Sequence, residues 1–141
     1  MSSDKACLGV IGGGQLGMFF VQAARAHGHR TMVYDPDQDS PAGRFCHKHF
    51  CAAYNNTRML ESMAEACQAV TIEFENIPQQ ASNIFARRTF LAPSTQALEI
   101  SRDRMTEKNF VRSIGLQTVN YIGIQEDGDI DTAFAQLSPL R

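Results

Sequence analysis

Ala6-Cys7-Leu8-Gly9-Val10-Ile11-Gly12-Gly13-Gly14-Gln15-Leu16-Gly17-Met18 joins an unbroken apolar run to a glycine cluster and then to a helical pattern. An apolar run without polar alternation suits a strand covered on both faces, as in a parallel sheet between helices. Gly12, Gly14 and Gly17 satisfy GxGxxG, and they do so between a strand and a helix, the context that gives the motif meaning. Glycine there allows a tight turn, close approach of a ligand to the backbone, and close packing of helix on sheet. The first amides of the helix are then free to face an anion. A ligand contact in this loop is the first expectation.

Outward from the loop, the pattern alternates between strands and helices. A helix is predicted over 14–27, with Leu16, Phe19, Phe20, Ala23 and Ala24 facing inward and Gly28 as its stop. Strands are predicted over 30–35, 49–53, 69–75 and 89–92. Between them lie a helix over 57–68, capped by Thr57, and a helix opening at Pro78 with Ala81, Ile84 and Phe85 inward. Met59, Leu60, Met63, Ala64 and Cys67 form the buried stripe of the former. The order β-α-β-loop-β-α-β-α-β predicts an α/β fold with a doubly wound parallel sheet. Residues 94–114 read as two helices hinged near Ser101, with Gly115 ending the second. A strand over 116–124, an acidic turn at 126–129 and a helix over 130–137 follow, like the opening of another domain. The chain then stops at Pro139-Leu140-Arg141, and it is expected to be a fragment. The expected organisation is a Rossmann-like domain over 1–93, a helical connector over 94–115 and a truncated domain over 116–141.

Composition narrows the function. The 141 residues carry 13 Lys and Arg against 15 Asp and Glu, a formal charge of -2, which argues against a basic field for nucleic acid. Hydrophobic residues are 43% of the chain, enough for an ordinary core, yet no apolar run approaches the ~20 residues of a membrane span. No signal-peptide pattern opens the sequence, and Cys7, Cys46, Cys51 and Cys67 show no CxxC pair. A reducing, cytoplasmic setting is expected.

Four groups of residues could carry chemistry. Beside the glycine loop stands Asp35 at the end of the second strand, near where a dinucleotide fold places its ribose-binding acid, although Pro36 and Gln15 are uncharacteristic of a nicotinamide site. Glu73 and Glu75, two apart on a predicted strand, would share one side ~6.6–7 Å apart with Phe74 opposite. Acids at the C-terminal end of an interior strand are costly without water, a cation or a ligand. Arg104 and Lys108 form a basic helix edge, read in isolation as a solvated face. Cys46-His47-Lys48-His49-Phe50-Cys51 is split by strand alternation and has no second cluster to complete a zinc site, so no metal is expected. GxSxG, HExxH and a Walker A lysine are all absent, which disfavours a self-contained hydrolase or kinase.

Four stretches in register extend the reading. IGGGQLGM at 11–18, YDPDQDSPA at 34–42, VTIEFENIP at 70–78, and the run from APS at 92–94 to DRMTEK at 103–108 resemble the N5-carboxyaminoimidazole ribonucleotide synthetases, purine-biosynthesis enzymes of the ATP-grasp superfamily. The resemblance implies an N-terminal, pre-ATP-grasp part of a ligase that uses ATP and bicarbonate to carboxylate 5-aminoimidazole ribonucleotide. It implies that Gly14, Gln15, Leu16 and Glu73 contact the ribonucleotide, with Glu75 the lesser choice, and that Arg104 faces the ATP phosphates. The magnesium ligands would lie in the part not present, and the fragment alone would be inactive. A cytoplasmic enzyme with no nucleic-acid or membrane partner is implied, as is a homodimer through the N-terminal domain. The chain departs from the family at Met18, where Lys or Arg is common, and at Asn55 and Asn56, where an acid is common. Two alternatives stay open: a formate-dependent glycinamide ribonucleotide transformylase-like enzyme, and an NAD(P)-binding module.

Overall fold

The computed structural model describes residues 5–73, 75–124, 126 and 129–137. The chain divides into two compact units, Met1–Glu99 and Ile100–Arg141. The first unit holds a five-stranded, wholly parallel sheet in the order β3-β2-β1-β4-β5. Its strands are β1 (Cys7–Ile11), β2 (Arg30–Tyr34), β3 (Lys48–Phe50), β4 (Ala69–Ile72) and β5 (Phe90–Ala92). Helices α1 (Gln15–Ala26), α2 (Thr57–Ala66), α3 (Gln79–Arg88) and α4 (Thr95–Arg102) connect and follow them. The doubly wound sheet expected from the alternating pattern is the fold observed.

Alternation along β1 sends its side chains to two different cores. Cys7 and Ile11 join Met32, Tyr34, Leu60, Met63, Val70, Ile72 and Phe85 under α2 and α3. Val10 joins Val33, Val21 and Ala42 under α1. Gly9 belongs to the first face, and a Cβ there would lie 2.7 Å from Met63 Cε and 2.9 Å from Val70 Cγ2. Its bareness lets α2 lie close on the sheet.

Several boundaries and faces differ from the sequence reading. The buried stripe of α1 is Gly17, Val21 and Ala24, while Leu16 is 65% and Phe19 57% exposed. Close approach decides this face: a Cβ on Gly17 would stand 2.4 Å from the Gly12 carbonyl oxygen. The helix therefore turns its small residues inward and its bulky ones out, with Phe20 half-buried. Asn56, not Thr57, caps α2, its side-chain oxygen accepting from Met59 N–H at 3.2 Å. That helix ends at Ala66, because Cys67 is extended and Gln68 already exchanges bonds with Cys7. β3 begins at Lys48 and is over by Phe50, which its pairing with Met32–Tyr34 of β2 dictates.

β4 stops at Ile72 rather than Glu75. Its neighbour β1 turns away after Ile11 into Gly12 (φ 101°), and Glu73 N–H to Ile11 O, 2.9 Å, is the last bond across. Glu73 and Glu75 are thus not alternating strand residues, and Phe74, expected opposite them, lies outside the described residues.

The second unit contains α5 (Arg104–Ser113) and α6 (Asp129–Leu137). Asp103 separates α4 from α5 and caps the latter, its carboxylate accepting from Thr106 N–H at 2.7 Å. Gly115, at φ 84°, follows the end of α5. Residues 116–124, expected as a strand, form none. A strand needs a partner for its backbone groups, and here the segment instead lies on α5. Tyr121 donates to Asn109 Oδ1 (2.6 Å) beneath Arg112 and Lys108, and Arg112 donates to Thr118 Oγ1 (2.9 Å). The expected acidic turn is only partly seen, since Gln125, Asp127 and Gly128 lie outside the described residues, as do the chain ends 1–4 and 138–141.

Candidate functional site

The sheet reverses direction of winding between β1 and β4, the two strands that carry the glycine loop and Glu73. In open parallel sheets the crevice at such a point, outside the carboxyl ends of the strands, is where ligands bind. The loop in this crevice is pinned from one side. Gly12 N–H donates to Tyr34 O (3.0 Å), Gly13 N–H to Asp35 Oδ2 (2.6 Å), and Ala42 N–H to Gly13 O (2.9 Å). From Gly14 onward the situation changes. The first helical bond runs from Met18 N–H to Gly14 O (3.0 Å), and Gly14, the N-cap, supplies no side chain to the amides before Met18. Those amides form an uncapped positive helix end.

Glu73 closes the other side. A Cβ on Gly14 would stand 2.8 Å from Glu73 Oε1, so the carboxylate lies directly against the loop. Glu73 also lines a cavity of about 250 Å³ with Val10, Leu16, Gly17, Phe20, Thr71 and Ile72. The walls are mostly apolar, with an acceptor-only carboxylate beside amide donors at one end. Such a set suits a small ligand carrying both hydroxyl or amine donors and acceptor oxygens. Size alone would favour a cleft of about 540 Å³ between α2 and α3. Its lining is solvated, however, and its Arg88 is already paired with Glu61 at 2.6 Å. None of its lining residues belongs to a strand or to the glycine loop.

The residues singled out in the sequence therefore divide. Gly14, Leu16 and Glu73 meet at one crevice, and Gln15 is exposed at the first position of α1 beside them. Glu75 is exposed beyond the end of β4. Arg104 is the first residue of α5, in the second unit, exposed and paired with Glu107.

Asp35 does something the sequence reading did not foresee. Its Oδ2 accepts from Gly13 N–H and from the Tyr54 hydroxyl (3.2 Å), and its Oδ1 accepts from Asp37 N–H (2.8 Å). With three donors from within the chain on a carboxylate that offers about four acceptor sites, little capacity is left for a ribose diol, which weakens the case for an NAD(P) site. Tyr54 was not among the candidates. Burial, and then the Asp35 charge beside it, hold its phenol well above the ordinary range, so it remains a proton donor. The Asp35-Pro36-Asp37 turn was the one available signal, because an aspartate that accepts from the amide two residues on has its carboxylate turned toward the backbone.

The histidine and cysteine cluster is likewise divided among local contacts. His47 Nδ1 lies 3.1 Å from the Thr31 amide, His49 Nε2 lies 3.1 Å from Asp35 O, and Cys46 Sγ donates to Gly43 O (3.3 Å). All four cysteines are free thiols. Burial raises the Cys46 thiol above its ordinary value and pushes Cys67 up to about 12, with Cys7 beside it adding to the effect. No group of three or more His, Cys, Asp or Glu that could hold a metal occurs among the described residues. None of the described helices is long and apolar enough to cross a membrane.

A parallel α/β sheet with a glycine loop at its switch point and an acid facing it defines a Rossmann-like class of domain. Residues 5–102 match the model of the ribonucleotide synthetase preATP-grasp domain, and the chain belongs to that family. It is 35% identical over 132 residues to an N5-carboxyaminoimidazole ribonucleotide synthase of Staphylococcus aureus, covering 94% of this chain and 35% of that protein. The crystal structure of an ADP complex of an N5-carboxyaminoimidazole ribonucleotide synthetase superposes with a TM-score of 0.85 at 32% identity, over 94% of this chain and 35% of the other. The S. aureus N5-carboxyaminoimidazole synthetase complexed with ADP gives a TM-score of 0.80 at 34% identity, over 93% and 36%. The chain thus spans about a third of the length of the relatives it matches.

Proposed function

We propose that this chain is the N-terminal part of an ATP-dependent ligase of purine biosynthesis, one that converts 5-aminoimidazole ribonucleotide, bicarbonate and ATP to N5-carboxyaminoimidazole ribonucleotide. The relatives' names and the family match support the reaction, and the ADP-bound relatives support the nucleotide. The observation that carries the role of this chain is the meeting of Gly14 and Glu73 at the switch point. There the amides before Met18 present donors and Glu73 presents acceptors, which suits the hydroxyls and amine of a ribonucleotide. In this reading Gly14, Gln15 and Leu16 cradle the ribonucleotide and Glu73 anchors it.

Arg104 serves the ATP phosphates, where a permanent, bidentate guanidinium is well matched. Magnesium would be held by acids outside this chain, and no cluster among the described residues offers it a site. Residues 1–93 form the pre-ATP-grasp domain, 94–115 the connector, and 116–141 the start of the ATP-grasp domain. The fragment is inactive alone, works in the cytoplasm as part of a homodimer, and handles neither nucleic acid nor membrane.

The test is calorimetric titration of the chain with 5-aminoimidazole ribonucleotide, ATP and NADH in parallel. Binding of the ribonucleotide alone, lost in Glu73→Ala, is the expected result. Loss of a hydrogen bond to a charged group should cost about 1.5–3 kcal/mol, roughly ten- to hundredfold in affinity. Binding of NADH instead, or a ribonucleotide affinity indifferent to Glu73, would overturn the assignment. In a chimera that restores the remaining two-thirds, Arg104→Ala should raise the ATP requirement and leave ribonucleotide binding nearly intact.

A further inference from the structure

Three consecutive glycines, Gly12 to Gly14, make the loop the least self-determined stretch of the site. Glycine loses more conformational freedom on ordering than any other residue, so something outside the loop must hold it. The holder is on the page. Asp35 Oδ2 takes Gly13 N–H at 2.6 Å and the Tyr54 hydroxyl at 3.2 Å. The Tyr54 ring stacks on Tyr34, with centroids 5.8 Å apart, and Tyr34 stacks on Phe50 at 6.4 Å. Tyr34 is fixed in turn by donating to Ala53 O (2.9 Å), and both Tyr34 and Phe50 are fully buried in the larger core. Ser40 and Asp35 pack closely on Gly13, where an added Cβ would stand 2.6 Å from Ser40 and 2.9 Å from Asp35 Cβ, so only glycine brings this amide against the carboxylate.

We infer that Asp35 and Tyr54 act as a positioning pair: they hold the glycine-rich loop in its ligand-receiving shape by carrying rigidity from the aromatic core to Gly13. Neither touches the ligand. Their contribution is preorganisation, which gives affinity by removing an ordering cost at the moment of binding. The inference rests on the proposed ribonucleotide site for its consequence, but the clamp itself is a property of the unliganded chain.

The experiment reads both levels. Amide hydrogen exchange by NMR on the 141-residue chain compares Tyr54→Phe and Asp35→Asn with wild type, and titration with 5-aminoimidazole ribonucleotide follows on the same samples. Tyr54→Phe keeps the stacked ring and removes one hydroxyl, so it guards against a variant that fails to fold. The expected result is exchange at Gly13 and Gly14 faster by about two- to tenfold in Tyr54→Phe, which frees one side of the carboxylate and leaves the Gly13 bond in place, and by more in Asp35→Asn, which weakens that bond itself. Val10 and Val33 should be unchanged, and ribonucleotide affinity should fall in the same order. Unchanged Gly13 exchange in both variants overturns the clamp. A loosened loop with undiminished ribonucleotide affinity overturns its positioning role. A wild-type chain that binds no ribonucleotide defeats the site assignment instead, and accelerated Gly13 exchange then still supports the clamp.

Discussion

Residues through Glu99 and those from Ile100 onward have similar kinds of side chains and very different fates. The first unit buries Leu60, Met63, Val70 and Phe85 between sheet and helices. In the second, Phe134 is 64% and Val119 74% exposed, and Ala133 is the one buried hydrophobic residue among those described there. Large apolar side chains left in water gain nothing from folding. Covering them would take apolar surface that the described residues of the second unit do not supply. The difference teaches that two stretches of one chain can share composition while only one of them builds a core. What separates them is whether the strands have partners.

The largest effect that would break this comparison is in hydrogen exchange. Amides of β1, β2 and β4 should exchange at least about 10³-fold more slowly than those of 116–124 and α6, as expected for core strands of a stable domain against marginal structure. Equal protection would mean that the second unit is covered after all. Side-chain truncation sharpens the same contrast. Phe85→Ala should destabilise the first unit by about 3–5 kcal/mol in denaturant titration, the usual cost of emptying a buried aromatic site. Phe134→Ala should leave that transition within about 0.5 kcal/mol of wild type.

Caps give smaller effects. Asn56→Ala should cost the first unit about 1 kcal/mol by exposing the Met59 amide. In the second unit the effect is local and depends on pH. The Thr106 hydroxyl and amide bonds hold the Asp103 carboxyl below its ordinary value. A depressed folded-state value means that the cap is fully present above the ordinary carboxylate range and lost as pH falls through the lowered value. The Thr106 amide signal should therefore titrate below the usual range. A midpoint at the ordinary value would show that the cap does not form.

The parallel sheet was legible because Cys7–Ile11 and Arg30–Tyr34 are continuous apolar runs separated by helical patterns. The association of Gly14 with Glu73 came from the family resemblance, and the pairing of β1 with β4 supplies its geometry. What was not legible depended on distances between backbones. Bulk pointed Phe19 inward, whereas contact between Gly17 and the Gly12 carbonyl turned it out. Composition let β4 run to Glu75, whereas the turn in β1 ended it at Ile72. Asp35 was visible as an acid at a strand end, but the direction of its carboxylate depended on Tyr54, nineteen positions later.

The thiols described above also decide how the chain can be handled chemically. Cys7 and Cys67 are buried, Cys46 is half-buried with its thiol held protonated, and Cys51 is exposed. Alkylation requires an accessible thiolate, so a maleimide dye should attach at one position without any residue being replaced. Cys51 Sγ lies 3.4 Å from the Pro36 carbonyl, on the turn that follows Asp35. A fluorophore there would sit beside the turn that holds the glycine loop and report optically on whether that turn stays closed.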